Sequence, residues 1–275
     1  MVKIFTMVKD EVDIIKDWII YHGSLFGWDN IYIIDNYSSD GTYESILEFV
    51  NSGAPINVFR KHDYTKKGIY MKTLIDAHCE YDKLAFPIDI DEFIIYYEKG
   101  SSEVIFDRQH ILNYINNLPQ ANLYKANYLV PLSSSPHGNE REHATSEYAY
   151  YGDYGSHAKS FFDVRYFKGT IDHGNHIPSN DYFMTNIALI HFHSRSVEQN
   201  KKKTINNLLG LGYSLNLQDL KNVLSINPEC PGCHHIHKYI HMRENKFTMD
   251  YIENPDPNNF ISIKPFKQRI IGGYF

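Results

Sequence analysis

Cysteine is scarce, with three in 275 residues. Three thiols cannot build a disulfide framework, and with no export signal they predict a reducing, cytoplasmic setting. Positive charge is not in excess either: 27 Lys and Arg stand against 33 Asp and Glu, a formal net charge of -6. That balance argues against a nucleic-acid partner, whose binders are usually basic. Long apolar runs are missing. Nothing approaches the roughly 18 apolar residues of a spanning helix, so no transmembrane segment is expected. Lys9, Asp10 and Glu11 break the first apolar stretch before it could act as a leader. A Gly-x-Gly-x-x-Gly turn is lacking too. After the first strand candidate stands Thr6-Met7-Val8-Lys9-Asp10-Glu11, which speaks against a Rossmann-type dehydrogenase.

What remains is an ordinary globular composition, 43% hydrophobic and 22% charged. The length suits one large domain, or one domain with a small appendage. Through residue 89 strand-like and helix-like segments alternate. Strand patterns cover 2–8, 31–35, 56–60 and 84–89. Helical patterns cover 11–26, 43–51 and 68–81, the first with Ile15, Trp18, Ile19, His22 and Phe26 at helical spacing. This βαβαβαβ order predicts a mostly parallel sheet flanked by helices. Ligands of such sheets bind beyond the carboxyl ends of the strands. Asp35, Asp89 and Asp91 fall at such ends.

Beyond Phe93 the alternation fades. A helix is expected over 108–117, strands over 123–130, 160–167 and 186–192, and a polar helix over 196–209 opened by Ser196. Residues 133–155 are rich in Ser, Gly, His and Tyr without a period, and read as a long loop or lid. Tyr148, Tyr150, Tyr151 and Tyr154 in it could stack on a sugar ring or simply pack. The division expected is a domain over 1–210 and a small, mostly helical extension over 211–275.

The acids of Phe-Pro-Ile-Asp89-Ile-Asp91-Glu92-Phe follow an apolar strand directly. Residues two apart in extended chain share a face, so Asp89 and Asp91 can converge. A divalent cation such as Mg²⁺ or Mn²⁺ would relieve their repulsion and bridge two phosphate oxygens. A solvated acidic turn is the plain alternative.

Four blocks carry a resemblance: KIFTMVKDE at 3–11, IYIIDNYSSDGT at 31–42, FPIDIDEF at 86–93 and HFHSRSVEQNKKK at 191–203. In this order they resemble the family 2-like glycosyltransferases of the GT-A fold, and most of all the family 92-like subgroup. The resemblance covers about the first 205 residues, with gaps. It implies a GT-A type, Rossmann-like sheet and a metal-dependent, inverting hexosyltransferase active in glycan biosynthesis. The donor would be a UDP- or GDP-sugar, the acceptor a glycan or other hydroxyl, and the cofactor Mn²⁺ or Mg²⁺. Thr6 and Val8 would line the nucleobase pocket through backbone groups, and Asp35 would accept from a pyrimidine N–H. Asp89 would sit near the donor ribose, and Asp91 would ligate the metal. His191 would be a further ligand. Lys159 and Arg195 would reach the diphosphate. Asp10 replaces the family's usual Asn, which leaves its role open.

Fifteen histidines are many. His191 and His193 share a strand face, good geometry for a metal, though one core and one surface histidine fit as well. The polar run Asp172-His173-Gly174-Asn175-His176 suits an active-site loop. Inverting transfer needs a general base near the anomeric carbon. Asp172 is the first candidate, with His173 and Asp181 behind it. Cys230, Cys233, His237 and His241 could hold a structural zinc, or the cysteines could be reduced thiols in a turn. Two further readings use the same acids: a metal-dependent nucleotidyltransferase or phosphohydrolase, and a carbohydrate-binding relative without turnover.

Overall fold

The structure is a computed structural model that describes residues 2–79, 84–132, 147–193, 195–244, 246 and 260–271. Four strands open the sheet: β1 (Val2–Val8), β2 (Ile31–Asp35), β3 (Asn57–Arg60) and β4 (Leu84–Pro87). They lie in the order β3-β2-β1-β4 and pair in parallel throughout. All seven residues of β1 and all five of β2 are buried, as expected where helices cover both faces. Alternation then divides the side chains between two cores. Ile4 and Val8 join Ile31 and Ile33 on one face. Phe5 and Met7 join Tyr32 and Ile34 on the other.

Helices α1 (Ile15–Phe26), α2 (Thr42–Asn51) and α3 (Lys67–His78) connect these strands. Trp18, Ile19 and Phe26 of α1 face the first core, while Met71, Leu74 and Ile75 of α3 face the second. Gly27, at φ 96°, ends α1 in a conformation that glycine adopts without strain.

The sheet continues as a mixed half. β8 (Lys159–Asp163) pairs antiparallel with β4, and β6 (Tyr124–Pro131) pairs antiparallel with β8 and with β7 (Tyr148–Gly152). β9 (Phe183–His191) runs parallel to β6 and antiparallel to β5 (Glu92–Tyr96). The strand β5, starting inside the acidic block, has no counterpart in the expectation from sequence. Nor does β7, which occupies part of the expected loop; residues 133–146 of that loop lie outside the described residues. Tyr148, Tyr150 and Tyr151 are strand residues here, not parts of a lid.

One edge of β5 is held by side chains. Trp18 Nε1 donates to Glu92 O at 3.0 Å and Tyr21 Oη to Ile94 O at 2.5 Å. The amide of Ile94 reaches His22 Nε2 at 3.4 Å, and His22 Nδ1 meets Trp18 O at 3.0 Å. Burial pushes the His22 imidazole down to about 3, so it stays neutral and can accept that amide. The polar tips of one otherwise apolar helix face thus satisfy backbone groups that a further strand would otherwise bind.

Helix α4 (Arg108–Asn116) follows β5, and Asp107 caps it by accepting from His110 N at 2.9 Å. At the carboxyl side, α5 (Val197–Gly210), α6 (Leu217–Ile226) and α7 (Cys233–Arg243) share a third core of Leu208, Leu220, Ile236 and Tyr239. The chain then returns to the sheet. β10 (Ile261–Ser262) pairs with β7, and Phe266 of α8 (Lys264–Ile271) packs against Tyr21 and Phe93. The mixed α/β architecture, with its parallel block flanked by helices, is the one expected. No helix among the described residues is long and apolar enough to cross a membrane.

Replacing Tyr21 by Phe removes the donor to the buried Ile94 carbonyl. A stability loss of about 1–3 kcal/mol is expected, read as a lower midpoint in equilibrium urea unfolding with an unchanged slope. An unaltered midpoint would mean that β5 does not depend on this clasp.

Candidate active site

The carboxyl ends of the parallel strands gather the acids. β4 stops at Pro87, and the turn that follows carries Asp89 and Asp91 into Glu92, the first residue of β5. The Asp89 amide donates to Glu92 Oε2 at 2.7 Å and the Glu92 amide to Asp89 O at 3.1 Å. This reciprocal bonding fixes the turn and sends Asp89 and Asp91 to different partners.

Asp89 is met from three elements. Lys67, in the first turn of α3, donates at 2.6 Å, Lys159 at the start of β8 at 2.9 Å, and Asn175 Nδ2 at 2.9 Å. Burial opposes its ionisation, but the two ammonium groups prevail and hold the carboxyl below the usual range. Lys159 also binds Glu92 Oε1 at 2.9 Å and Gly174 O at 2.7 Å. All three of its donors are therefore engaged inside the protein. Burial alone would lower the Lys159 ammonium, yet Asp89 and Glu92 raise it well above the ordinary value. The resemblance assigns Lys159 to the diphosphate. In this structure it neutralises the acids beneath.

Asp91 is only 2% exposed and makes a separate cluster. Lys203 of α5 donates to its Oδ2 at 2.6 Å, and His191 Nε2 lies 3.6 Å from its Oδ1. Burial works against the charge, and Lys203 followed by His191 holds the carboxyl well below the usual range. His193 Nδ1 is 3.3 Å from Lys203 Nζ. The lysine's charge, then burial, keep the His193 imidazole far below its usual value, hence neutral. Asp91, His191 and His193 each offer a ligand atom within 4.8 Å of the others, the single such metal-capable group among the described residues. Asp89 stands outside that group, which corrects its expected role as a metal ligand.

A divalent cation fits this set. Two imidazole nitrogens and one carboxylate suit a first-row ion such as Mn²⁺. They suit Mg²⁺ less, since it prefers oxygen donors throughout. The Lys203 ammonium already shows that the set accommodates positive charge.

The structure reassigns several other residues. Arg195 is 5% exposed. It pairs with Glu11, donates to Asp13 through Nε at 2.8 Å, and reaches Phe192 O at 3.3 Å. Its guanidinium ties the start of α5 to the segment after β1 instead of lying open to a diphosphate. Asp35 is fully buried and accepts from Arg60 Nε at 2.9 Å and Ser38 N at 3.1 Å. Arg60 is stacked between Tyr37 and Tyr43, at 4.1 and 4.0 Å. A pyrimidine N–H could reach Asp35 only if that stack opened. Thr6 lies two residues inside β1, fully buried, its hydroxyl without a partner. Val8 ends the strand with its carbonyl taken by the Asn36 amide at 2.8 Å. Asp10 has a structural role, accepting from Ser39 N at 2.7 Å and from Asn206 Nδ2 of α5 at 3.0 Å.

Among the candidate bases, Asp181 is excluded by position. It precedes β9, whose far end carries His191. Ten residues of extended chain separate them by roughly 30 Å. Asp172 and His173 are exposed and lie in the loop that delivers Asn175 to Asp89. Asp172 Oδ1 accepts from His176 N at 2.7 Å, while the His173 ring rests 5.7 Å from Tyr64. The zinc expectation fails on geometry. Cys230 points into the third core, whereas His237 and His241 lie on the exposed face of α7.

Besides Lys67 and Lys203, three residues take places that the sequence did not assign them. Asn175, at φ 58°, is buried and bonds Asp89 with its amide nitrogen, leaving Oδ1 without a partner. Lys125 is buried in β6 and reaches Ser156 O, Ile177 O and Ser160 Oγ, each at 2.8 Å. Burial pushes its ammonium down to about 8. Tyr128 stands 5.3 Å from His191 and meets Tyr154 edge-on at 5.1 Å. Only a lysine and an asparagine inside strand- and loop-like patterns could have hinted at the first two.

Gly68, beside Lys67, allows α3 to touch this loop. A Cβ there would stand 2.0 Å from Ile171 O. Gly68→Ala is expected to displace residues 171–176 and cost about 1–3 kcal/mol, with faster limited proteolysis in that loop. Ile69→Ala, at a position 64% exposed, serves as the control and should change neither. Equal behaviour of the two variants would disprove the contact.

Comparison with solved structures finds a similar backbone in a mannosyltransferase, PcManGT from Pyrobaculum calidifontis in complex with GDP-Man and Mn²⁺. Identity is 10%, covering 88% of this chain and 70% of that chain, with a TM-score of 0.46. Residues 1–349 of S. aureus TarS are similar at 8% identity, covering 90% of this chain and 72% of that one, with a TM-score of 0.42. The same TarS segment in complex with UDP gives 10% identity over 90% and 72%, with a TM-score of 0.41. No family profile and no curated protein matches the sequence.

Proposed function

We propose that the chain is a divalent-cation-dependent glycosyltransferase, moving a sugar from a UDP- or GDP-sugar to a hydroxyl acceptor such as a glycan. The observation that carries the reading is the cluster of Asp91, His191 and His193 just beyond the carboxyl ends of a parallel sheet. Two of the four sequence blocks that resemble family 2-like, and especially family 92-like, enzymes supply all three of its residues, Asp91 from the acidic turn and His191 and His193 from the His-rich segment. Asp91, His191 and His193 would hold the cation, Mn²⁺ before Mg²⁺. Held there, a cation would supply positive charge against the diphosphate of the leaving group.

The chain's own residues do the rest. Asp89, pinned by Lys67, Lys159 and Asn175, is a rigid carboxylate, 28% exposed, able to accept from a donor hydroxyl. A fixed acceptor of this kind orients a bound sugar at little entropic cost. Tyr128 and Tyr154 form an aromatic wall beside His191, suited to the apolar face of a sugar ring. Asp172 is the proposed base. One of its oxygens is fixed by the His176 amide, the other has no hydrogen bond among the described residues, and the carboxylate can take the acceptor proton as the hydroxyl attacks. Direct attack of this kind inverts the anomeric centre.

The test is turnover with a panel of nucleotide sugars and acceptors, following release of nucleoside diphosphate. Chelation should abolish activity, and Mn²⁺ should restore it better than Mg²⁺. Asp91→Asn is expected to lower kcat on the order of a hundredfold or more. Asp172→Asn is expected to lower it on the order of a hundred- to ten-thousandfold. Release of pyrophosphate instead would identify a nucleotidyltransferase. Activity indifferent to chelation and to Asp91→Asn would end the metal-dependent reading.

A further inference from the structure

Lys203 occupies an unusual place. Its ammonium lies 2.6 Å from Asp91 Oδ2 and 3.3 Å from His193 Nδ1. Those are two of the three residues able to hold a cation. An ammonium at hydrogen-bond distance uses the same lone pairs that a metal needs. The two positive charges therefore exclude each other from this position. A second fixed cation stands close by, with Arg195 Nη1 4.0 Å from Asp91 Oδ2. Glu11 and Asp13 both engage Arg195 and more than balance its charge. With Lys203 present, the Asp91 carboxylate is balanced too.

Adding a doubly charged ion to this set without an anion would turn the cluster's net charge from negative to positive in a poorly hydrated place. A nucleoside diphosphate brings the missing negative charge. It also offers Lys203 a new partner, since an ammonium is a good point-charge ligand for phosphate oxygens. Lys203 can make the exchange. It lies in the second turn of α5, its side chain is 21% exposed against 2% for Asp91, and a lysine stem turns about four carbons.

We propose that Lys203 is a built-in counter-cation that keeps the metal position closed until a nucleoside diphosphate arrives, and then moves from Asp91 onto the diphosphate. The inference rests on the metal-dependent reading of the same site. Its consequence is linkage. Metal and nucleoside diphosphate each raise the affinity for the other, by the same factor. Removing the ammonium opens the metal position in the absence of nucleotide.

The experiment titrates Mn²⁺ into the full chain, following free Mn²⁺ by electron paramagnetic resonance, alone and with saturating UDP or GDP. The wild type should bind Mn²⁺ weakly alone and at least tenfold more tightly with the nucleotide that binds. Lys203→Met should bind Mn²⁺ alone at least tenfold more tightly than the wild type, with most of the nucleotide's enhancement lost. Lys203→Gln, which keeps a donor for Asp91 without the charge, should follow Lys203→Met and stands in for it should Met prevent folding. Lys203→Arg keeps the charge and should stay weak alone. If the wild type binds Mn²⁺ and the uncharged variants bind it no better, the Lys203 inference is wrong while the metal site stands. If no form binds Mn²⁺ with or without nucleotide, the metal-dependent reading falls and takes the inference with it.

Discussion

Two carboxylates two residues apart, taken largely out of water, would repel each other strongly if both were left unpaired. At an effective dielectric of about 20, like charges at 4 Å interact by about 4 kcal/mol. The protein resolves this by giving each acid its own cation from a different element. Lys67 and Lys159 converge on Asp89, while Lys203 meets Asp91. Helix α3, strand β8 and helix α5 are thereby drawn to one point at the end of β4. Breaking one such buried pair by removing a single partner typically costs roughly 3–5 kcal/mol. The acid turn is therefore a junction of the fold as much as a chemical site.

Other features serve that junction. Clasping β5 by Trp18, Tyr21 and His22 positions Glu92, and Glu92 in turn binds the Asp89 amide and Lys159. Gly68 lets the 171–176 loop lie against α3, so that Asn175 reaches Asp89. Lys125 gathers the carbonyls of Ser156, Ala158 and Ile177. Arg195, with Glu11 and Asp13, joins the end of β9 to the segment after β1. Each contact holds in place a residue distant in sequence. Their sum is a fixed acid centre in which Lys203, paired with Asp91, is 21% exposed.

The parallel half of the fold was legible because its signals are local. Apolar β-branched runs in β1 and β2, and the stripe of α1, obey periods of two and 3.6 within short windows. The mixed half was less so. β5 begins within three acidic residues and pairs along one edge with β9; on the other it meets only Ile105 at Tyr96, and nothing in a window of ten residues announces that a helix will supply the rest. The same limit applies to the site. Asp91, His191 and His193 stand out by residue type, but the separation of Asp89 from that group depends on which lysines fold onto it.

The sequence by itself determined the alternating α/β order, the acids beyond the fourth strand, and two histidines two positions apart where a later strand ends, although only His191 lies in that strand and His193 falls in the turn after it. These follow from backbone periodicity and from residue chemistry at fixed short spacing. Only the tertiary structure decided how the charges are shared. It assigned Lys159 and Lys67 to Asp89, placed Lys203 among the metal-capable residues, and buried Arg195 in an ion cluster. It also carried Asp181 to the wrong end of the sheet. Electrostatic energy depends on distances between residues as many as 184 positions apart, and no local pattern encodes those distances.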